Sequence, residues 1–408
     1  MAMSLRRSRA FLFIVLWLGC AMGGHAAAAQ AGAGAWLHRH VLEQGHPGAH
    51  LVVATADAAP VDLAVGSADT ERRHPLRGDA IYRIYSMTKP VVSAAVLRLI
   101  GEGHGGLDDA VALHLPELAA LRVLDRDGLR APRRPPTLRH LLTHTAGFPV
   151  VPGQALLRRE AVRLEDSDSL ATYVARAARV PLAHDPGTVF AYDGMATEIL
   201  GRLVEVWSGQ PLGRYLDATF FEPLGMADTG FVVPEAGRGR VVELTCLRDG
   251  ALVRADQAHA RDPGIGLRPY ASAAGGLYST AHDYLAFARM LLAGGRHGDR
   301  QYLPRPLAEA MFRDQLAAMG LDRPHVDAGA GRGFGLGVSV LLDPPAMGRL
   351  GAPGQVGWSG AASTYFVIDP VRGRIGLLLL QHLPCGGRER LPSVALPFYN
   401  FVQEVEFP

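Results

Sequence analysis

A serine and a lysine spaced one helical turn apart limit what this chain can fold into more than any other feature. They are Ser86 and Lys89, and Lys89 is the only lysine in a chain with 41 basic residues. Arginine stays protonated near neutral pH, whereas the surroundings of a lysine can remove its proton. Retention of this one lysine therefore indicates that the position needs a titratable amine.

The spacing of the two residues gives that amine a partner. On a helix, residues three apart lie on the same face, and a serine within reach of a basic amine is the arrangement of an activated nucleophile. Pro90 is tolerated in a first helical turn, which places Ser86 at the helix N-terminus, where developing negative charge is stabilised. The pattern predicts Ser86 as nucleophile and Lys89 as its base, although four residues alone would be weak evidence.

The composition is that of a globular protein with a large core. Of the 408 residues, 48% are hydrophobic and 20% charged, and the net charge is +2. That balance does not favour nucleic acid or an acidic membrane surface as a partner, and the chain has no basic stripe with interleaved aromatics. Its length allows one large domain or two.

Residues 1–29 have the layout of a secretory signal peptide. Three arginines precede an apolar run at 11–18, and small residues follow through 26–29. The run is too short for a transmembrane helix, so we expect cleavage near residues 27–29 and a periplasmic or secreted protein. Cys20 would alternatively be a lipid attachment point, but Trp17 fits poorly three residues before it. No other membrane contact is expected.

Two cysteines, Cys246 and Cys385, would remain after cleavage. An exported protein allows a disulfide between them, but a domain of this size does not need one. A disulfide and two free buried thiols are both compatible with the sequence.

The periodicity predicts an α/β (α+β) protein with a sheet assembled from both ends of the chain. Strands are predicted at 49–56, 61–66, 335–342, 364–368 and 375–381, with a closing helix over 391–405. In between lie helical patterns at 138–142, 169–178, 195–207 and 212–221. We therefore predict a discontinuous α/β domain over 30–106 and 232–408, and a mainly helical domain over 107–231.

Several spaced segments resemble one family. Residues 82–90, 138–148, 222–231 and 273–280 are similar to the corresponding motifs of class C β-lactamase-related serine hydrolases, over roughly residues 45–385. The resemblance implies a β-lactamase/penicillin-binding-protein-like antiparallel sheet flanked by helices, with an all-helical insert. It also implies catalysis through an acyl group on Ser86, without a metal or cofactor.

The family's second motif, Tyr-x-Asn, matches Tyr192-Asp193-Gly194, so that the tyrosine is kept and the asparagine is replaced by glycine. By this resemblance Tyr192 would share a proton with Lys89, the two taking turns as base and acid.

The third motif of β-lactamases, Lys-Thr-Gly, is replaced by Trp358-Ser359-Gly360, which is similar to the Trp-x-Gly form of family VIII esterases. These three residues are the predicted substrate-binding segment, with tryptophan as an apolar wall in place of a cation. The resemblance implies an oxyanion hole from the backbone N–H groups of Ser86 and Ala361.

Competing motifs do not fit. The sequence has no Gly-x-Ser-x-Gly elbow, and a P-loop is excluded because the only lysine lies in the Ser-x-x-Lys stretch. His140 and His144 have a zinc-ligand spacing, but Leu141 stands where a metalloprotease has glutamate, so we interpret both histidines as structural.

The sequence therefore predicts an exported serine hydrolase that cleaves small carboxylic esters. Two alternatives stay open. One is a β-lactamase, D-Ala-D-Ala peptidase or acyltransferase of the same fold, against which the missing Lys-Thr-Gly argues. The other is a catalytically silent binding protein, which Gly194 favours and the retained Lys89 disfavours.

Overall fold

A computed structural model describes residues 27–55, 58–321, 330–385 and 389–407. Residues 1–26 of the predicted signal peptide, including Cys20, lie outside the described residues.

The central element is a seven-stranded antiparallel sheet with strand order β11-β12-β13-β14-β15-β1-β2. Two of its strands come from the start of the chain and five from its end, as predicted. The sheet strands are β1 (Gly48–Thr55), β2 (Val61–Gly66), β11 (Arg332–Phe334), β12 (Ser339–Leu341), β13 (Val356–Gly360), β14 (Thr364–Asp369) and β15 (Arg374–Leu379).

Short two-stranded pairs lie outside this sheet. They are β3 (Tyr82–Arg83) with β8 (Tyr278–Ser279), β4 (Val123–Asp125) with β5 (Gly128–Arg130), β6 (Thr245–Arg248) with β7 (Ala251–Arg254), and β9 (Arg296–His297) with β10 (Arg300–Gln301).

The helices are α1 (27–37, continued by a π turn over His38–Leu42), α2 (Thr88–Gly101), α3 (Leu138–Leu142), α4 (Gln154–Val162), α5 (Leu170–Ala177), α6 (Met195–Ser208), α7 (Leu212–Leu216), α8 (Ala258–Arg261), α9 (Ala281–Leu292), α10 (Arg305–Met311) and α11 (Ala395–Glu404). Among the described residues, none of these helices combines the length and apolar character needed to cross a membrane.

Both faces of the sheet are buried, which explains its apolar strands. Along β1, Val52 and Ala54 belong to the core shared with α2, α6 and α9, whereas Leu51 and Val53 belong to a second core with α1 and α11. Successive side chains on a strand point to opposite faces, so a sheet covered on both sides needs apolar residues at nearly every position. The closing helix and the strands near 364–368 and 375–381 are confirmed.

Two details differ from the prediction. The strand predicted over 335–342 is wrong in extent, because β11 and β12 form a hairpin and the chain turns between them. Gly337 has φ +87° there, and a Cβ on it would lie 2.1 Å from Ser93 Oγ, so the turn needs glycine. The middle segment, predicted as helical throughout, also contains the β4–β5 hairpin. The proposed domain division stays a prediction.

Cys246 on β6 and Cys385 after β15 form a disulfide, with their Cα atoms 5.5 Å apart. The bond resolves the alternative that the sequence left open. It belongs to a small apolar cluster in which Tyr85 also packs, immediately before Ser86.

Candidate active site

Ser86 lies in a short 3-10 turn, Tyr85–Met87, that leads directly into α2. Tyr85 has φ +43°, a backbone region that non-glycine residues rarely adopt. Its hydroxyl is hydrogen-bonded to His259 Nε2 at 2.9 Å, and burial raises the pKa of Tyr85, which keeps the hydroxyl protonated. Such strain persists only where the surroundings hold it, and here it presents Ser86 to a cleft of about 390 Å³.

Lys89 is brought to the serine as the spacing predicted. Its Nζ lies 3.1 Å from Ser86 Oγ and donates a second hydrogen bond, of 2.6 Å, to the carbonyl oxygen of Ala274. The side chain is buried, with only 4% of the residue exposed. The amine is therefore held between the serine oxygen and one backbone carbonyl, out of bulk water.

Tyr192 borders the same cleft, just before α6 begins. Lys89 Nζ lies 4.9 Å from the centroid of its ring, and the indole N–H of Trp358 donates to its hydroxyl oxygen at 3.1 Å. The imidazole of His144 packs against the other side of the ring, with centroids 4.7 Å apart. Ser86 and Tyr192 thus line one cleft, and Lys89 contacts the oxygen of Ser86.

His144 is buried behind Tyr192, beside Asp193. The closest nitrogen–oxygen distance of this pair is 3.6 Å. Burial lowers the pKa of His144, an effect that Asp193 opposes, so the ring is neutral at neutral pH. Asp193 also accepts from the N–H of Ala196 at 2.8 Å, which satisfies one of the free donors at the start of α6. The pair fixes the backbone on which Tyr192 stands.

His140 has a different position. Its Nδ1 accepts from the N–H of Thr137 at 3.1 Å and completes a capping box at the start of α3. Among the described residues, the one group close enough to hold a metal is instead His50, Asp62 and His282. Each oxygen of Asp62 already accepts from one of these histidines, at 2.7 and 2.6 Å.

The opposite wall of the cleft is the end of β13, which passes directly over the backbone before Ser86. A Cβ on Gly360 would lie 2.3 Å from the carbonyl oxygen of Ile84 and from Thr364 Oγ1. Only glycine permits this approach, which brings Ser359 and Ala361 to the cleft beside Ser86. The predicted substrate-binding segment thus lines the cleft.

Trp358 is more than the apolar wall that the sequence suggested. Its ring packs on Tyr192 and edge-on against Phe334, with centroids 4.8 and 5.3 Å apart. The N–H bond to Tyr192 supplies a hydrogen-bond donor at the tyrosine oxygen. An indole can therefore serve that oxygen without adding a charge to the cleft.

Sequence reasoning missed three further residues that line the cleft: Arg332 on β11, Ser339 on β12 and Tyr399 on α11. They belong to separate elements and to no motif, so only the fold brings them together. Arg332 adds a cation to a cleft whose sequence motif had lost one.

The structure also shows what occupies the neighbourhood of the missing asparagine. A Cβ on Gly194 would lie 3.5 Å from the Cβ of Ala274, the residue whose carbonyl accepts from Lys89. The second acceptor of the lysine is thus a backbone carbonyl beside Gly194.

The chain is similar to proteins of known family. A profile of the Beta-lactamase family matches residues 26–394. Protein Rv1367c of Mycobacterium tuberculosis is 35% identical over 338 residues, which cover 78% of this chain and 82% of that protein. Esterase EstB of Burkholderia gladioli is 33% identical over 376 residues, or 86% of this chain and 89% of the esterase.

A solved structure shares the fold over nearly the whole chain. The structure titled "EstCE1, a hydrolase with promiscuous acyltransferase activity" superposes with a TM-score of 0.76 at 23% identity, and the match covers 94% of this chain and 99% of that one. The expected β-lactamase/penicillin-binding-protein-like fold is confirmed. The chain therefore belongs to the beta-lactamase family, among its serine hydrolases that resemble family VIII esterases.

Proposed function

We propose that this protein is an exported carboxylesterase that cleaves small esters through an acyl-enzyme on Ser86. The observation that carries the proposal is the contact of Lys89 Nζ with Ser86 Oγ, 3.1 Å apart at the edge of an open cleft. Esterase EstB, the relative from Burkholderia gladioli, bears the same activity in its name.

In the acylation step, Ser86 Oγ attacks the acyl carbon of the ester while its proton passes to the neutral amine of Lys89. The carbonyl oxygen becomes an oxyanion that accepts hydrogen bonds from the backbone N–H groups of Ser86 and Ala361, where each donor contributes on the order of 10²–10³ in rate. The tetrahedral intermediate collapses, and the alcohol leaves with a proton relayed from Lys89 through the hydroxyl of Tyr192.

Deacylation repeats the sequence with water. Tyr192 and Lys89 accept a proton from the water as it attacks the acyl carbon, and the same N–H pair holds the second oxyanion. The carbon–Oγ bond then breaks, Ser86 regains its proton, and the carboxylic acid leaves. An alcohol in place of water would make the reaction an acyl transfer.

Among the residues of the cleft, Trp358 supports neutral esters over β-lactams. Trp358 occupies the place of the Lys-Thr-Gly lysine and gives Tyr192 a neutral donor. Arg332 also lines the cleft, so an ester with a carboxylate is a natural comparison substrate. Export is supported by the signal-peptide pattern and by the Cys246–Cys385 disulfide, since such bonds persist in oxidising compartments.

The test uses the purified protein with nitrophenyl esters of increasing acyl length, a carboxylate-bearing nitrophenyl ester, a chromogenic cephalosporin and a fluorophosphonate probe. We expect labelling of Ser86, and ester turnover well above cephalosporin turnover. Ser86→Ala should lose both labelling and turnover, whereas Ser93→Ala, a buried serine on the same helix, should keep them.

Two other outcomes of these assays would favour the alternative functions. Cephalosporin turnover equal to that of the best ester would favour a β-lactamase or peptidase. A folded protein that no ester or fluorophosphonate acylates would be a silent binding protein, and the enzyme proposal would be wrong.

A further inference from the structure

A buried carboxylate lies behind the catalytic lysine, on a helix that carries no part of the predicted site. Glu198 is on α6, with 4% of the residue exposed. Its two oxygens accept from Ser272 Oγ at 2.5 Å and from the N–H of Ala273 at 2.9 Å. These partners lie in the loop before β8, far from α6 in sequence.

That loop is the one that holds Lys89. Ala274 follows Ala273 directly, and its carbonyl oxygen accepts from Lys89 Nζ at 2.6 Å. A continuous chain of contacts therefore runs from the carboxylate of Glu198 through residues 272–274 to the amine. No side chain other than Glu198 anchors both Ser272 and Ala273 among the contacts of the described residues.

One face of α6 is shaped for this loop. Gly194, Glu198 and Gly201 are spaced by four and three residues, so they lie on the same side of the helix. A Cβ on Gly201 would lie 2.5 Å from the Cβ of Ala273, and one on Gly194 would lie 3.5 Å from that of Ala274. Gly201 lets the helix approach Ala273 more closely than any side chain would allow, and Glu198, one turn earlier, binds the loop.

Burial of an ionised carboxylate at Glu198 carries a desolvation cost. Burial raises the pKa of Glu198, while hydrogen bonds from Ser272 and the backbone and the charge of Lys89 act in the opposite direction. A glutamine would fill the same volume without the desolvation cost of an ion. The carboxyl group is thus buried at a place where its hydrogen bonds to Ser272 and to the backbone offset part of the cost of ionisation.

We propose that Glu198 is a positioning residue that holds the Ser272–Ala274 loop, and through its carbonyl the amine of Lys89, against Ser86. The proposal rests on the proposed function, in which Lys89 exchanges a proton with Ser86. Loss of the carboxylate would release the carbonyl and remove negative charge near the amine. Both changes destabilise the ammonium form relative to the neutral amine.

Because Lys89 is the only lysine, its side chain can be observed alone. Protein labelled with ¹³C at lysine Cε gives one side-chain resonance, and its pH titration is followed in the wild type, Glu198→Gln and Glu205→Gln. Glu205 is the matched control, since it lies on the same helix but binds Arg202 and the N–H of Leu212. We expect the midpoint in Glu198→Gln to fall below the wild-type value, and that in Glu205→Gln to stay at the wild-type value.

The kinetics of ester hydrolysis are the second test of the role of Glu198. Glu198→Gln should lower kcat about 10- to 100-fold with little change in KM, and the acidic limb of the kcat/KM profile should move to lower pH. Glu198→Asp, which keeps the charge on a shorter side chain, should recover part of this loss. A merely structural role would lower stability without moving the acidic limb.

The inference is wrong if folded Glu198→Gln keeps the wild-type midpoint and a kcat within twofold of Glu205→Gln. If Glu198→Gln does not fold, Ser272→Ala takes its place, and an unchanged midpoint and kcat there overturn the inference equally. The resonance does not depend on turnover. A protein without Ser86-dependent esterase activity would therefore refute the proposed function while the titration still decided the role of Glu198.

Discussion

Lys89 contacts Ser86 and Tyr192 lines the cleft into which Ser86 opens, but the surroundings of the two residues differ in kind. The lysine contacts a backbone carbonyl that a buried carboxylate supports through hydrogen bonds. The tyrosine is packed between the rings of Trp358 and His144, and its oxygen accepts one hydrogen bond from an indole. Lys89 is thus held by a backbone dipole and a nearby carboxylate, and Tyr192 is held by aromatic packing.

This difference indicates how the two groups would divide the work of proton transfer. The carbonyl beside the amine stabilises the charge that forms when the neutral lysine takes the serine proton, for as long as the oxyanion exists. A neutral donor at the tyrosine oxygen assists a hydroxyl that passes a proton on without adding net charge to the cleft.

The largest effect is expected from the lysine side. Lys89→Arg keeps a cation but introduces a guanidinium that does not release its proton near neutral pH, so we expect kcat/KM to fall about 10³-fold. The measurement is steady-state ester hydrolysis, with circular dichroism as a check on folding.

Arg98→Lys on the same helix is the converse control, because Arg98 binds the carbonyl of Tyr302 away from the cleft. Arg98→Lys should keep activity within twofold. Near-normal turnover in Lys89→Arg would show that Lys89 is not the base, and the different surroundings of Lys89 and Tyr192 would then not reflect a division of proton transfer.

A smaller effect is expected from the tyrosine side. Trp358→Phe keeps an aromatic ring but removes the donor to Tyr192, and a hydrogen bond to an oxygen that develops charge contributes about 1.5–3 kcal/mol. We therefore expect kcat to fall about 10- to 100-fold while KM changes little.

Phe334→Leu tests packing alone, since Phe334 touches the indole edge-on and offers no donor. It should lower the free energy of unfolding by about 1 kcal/mol and kcat only a few fold. If both variants reduce kcat equally, packing rather than the hydrogen bond determines the role of Trp358.

The sequence predicted contacts between residues near each other in the chain, but it did not predict contacts between residues that are distant in the chain. Ser86 and Lys89 are one helical turn apart, so local geometry alone brings them together, and the two main-sheet strands after Gly360 follow from their continuous apolar runs. Glu198 and Ala274 are 76 residues apart in the chain, and nothing local indicates that they meet.

The hydrogen bond from the Trp358 indole to Tyr192 was likewise not predicted, because the two residues are distant in the chain. A tryptophan in the Trp-x-Gly segment indicates an apolar wall, because its donor matters only when the fold places an acceptor within 3.1 Å. The β11–β12 turn was misread as one strand, since an apolar run with glycines does not show where the chain reverses.

The smallest expected effect concerns support from behind the serine, where His259 holds the hydroxyl of Tyr85. Burial, aided by Arg83 and Arg268, lowers the pKa of His259 to about 4, compared with about 6.5 in an unfolded chain. As pH falls below 6.5, the unfolded state takes up this proton before the folded state does. The stability that the neutral ring contributes is therefore complete above pH 6.5 and is lost progressively as pH falls toward 4.

His259→Gln removes this titration, so the fall in Tm between pH 7 and pH 4.5 should be a few degrees smaller in the variant than in the wild type. His297→Gln, at an exposed position on β9, should retain the wild-type fall. The comparison uses the difference between the two pH values because His259→Gln also loses the bond to Tyr85 at every pH. An equal fall in both variants would mean that protonation of His259 does not weaken the serine side, and that the acid sensitivity arises at other buried histidines, such as His144 behind Tyr192.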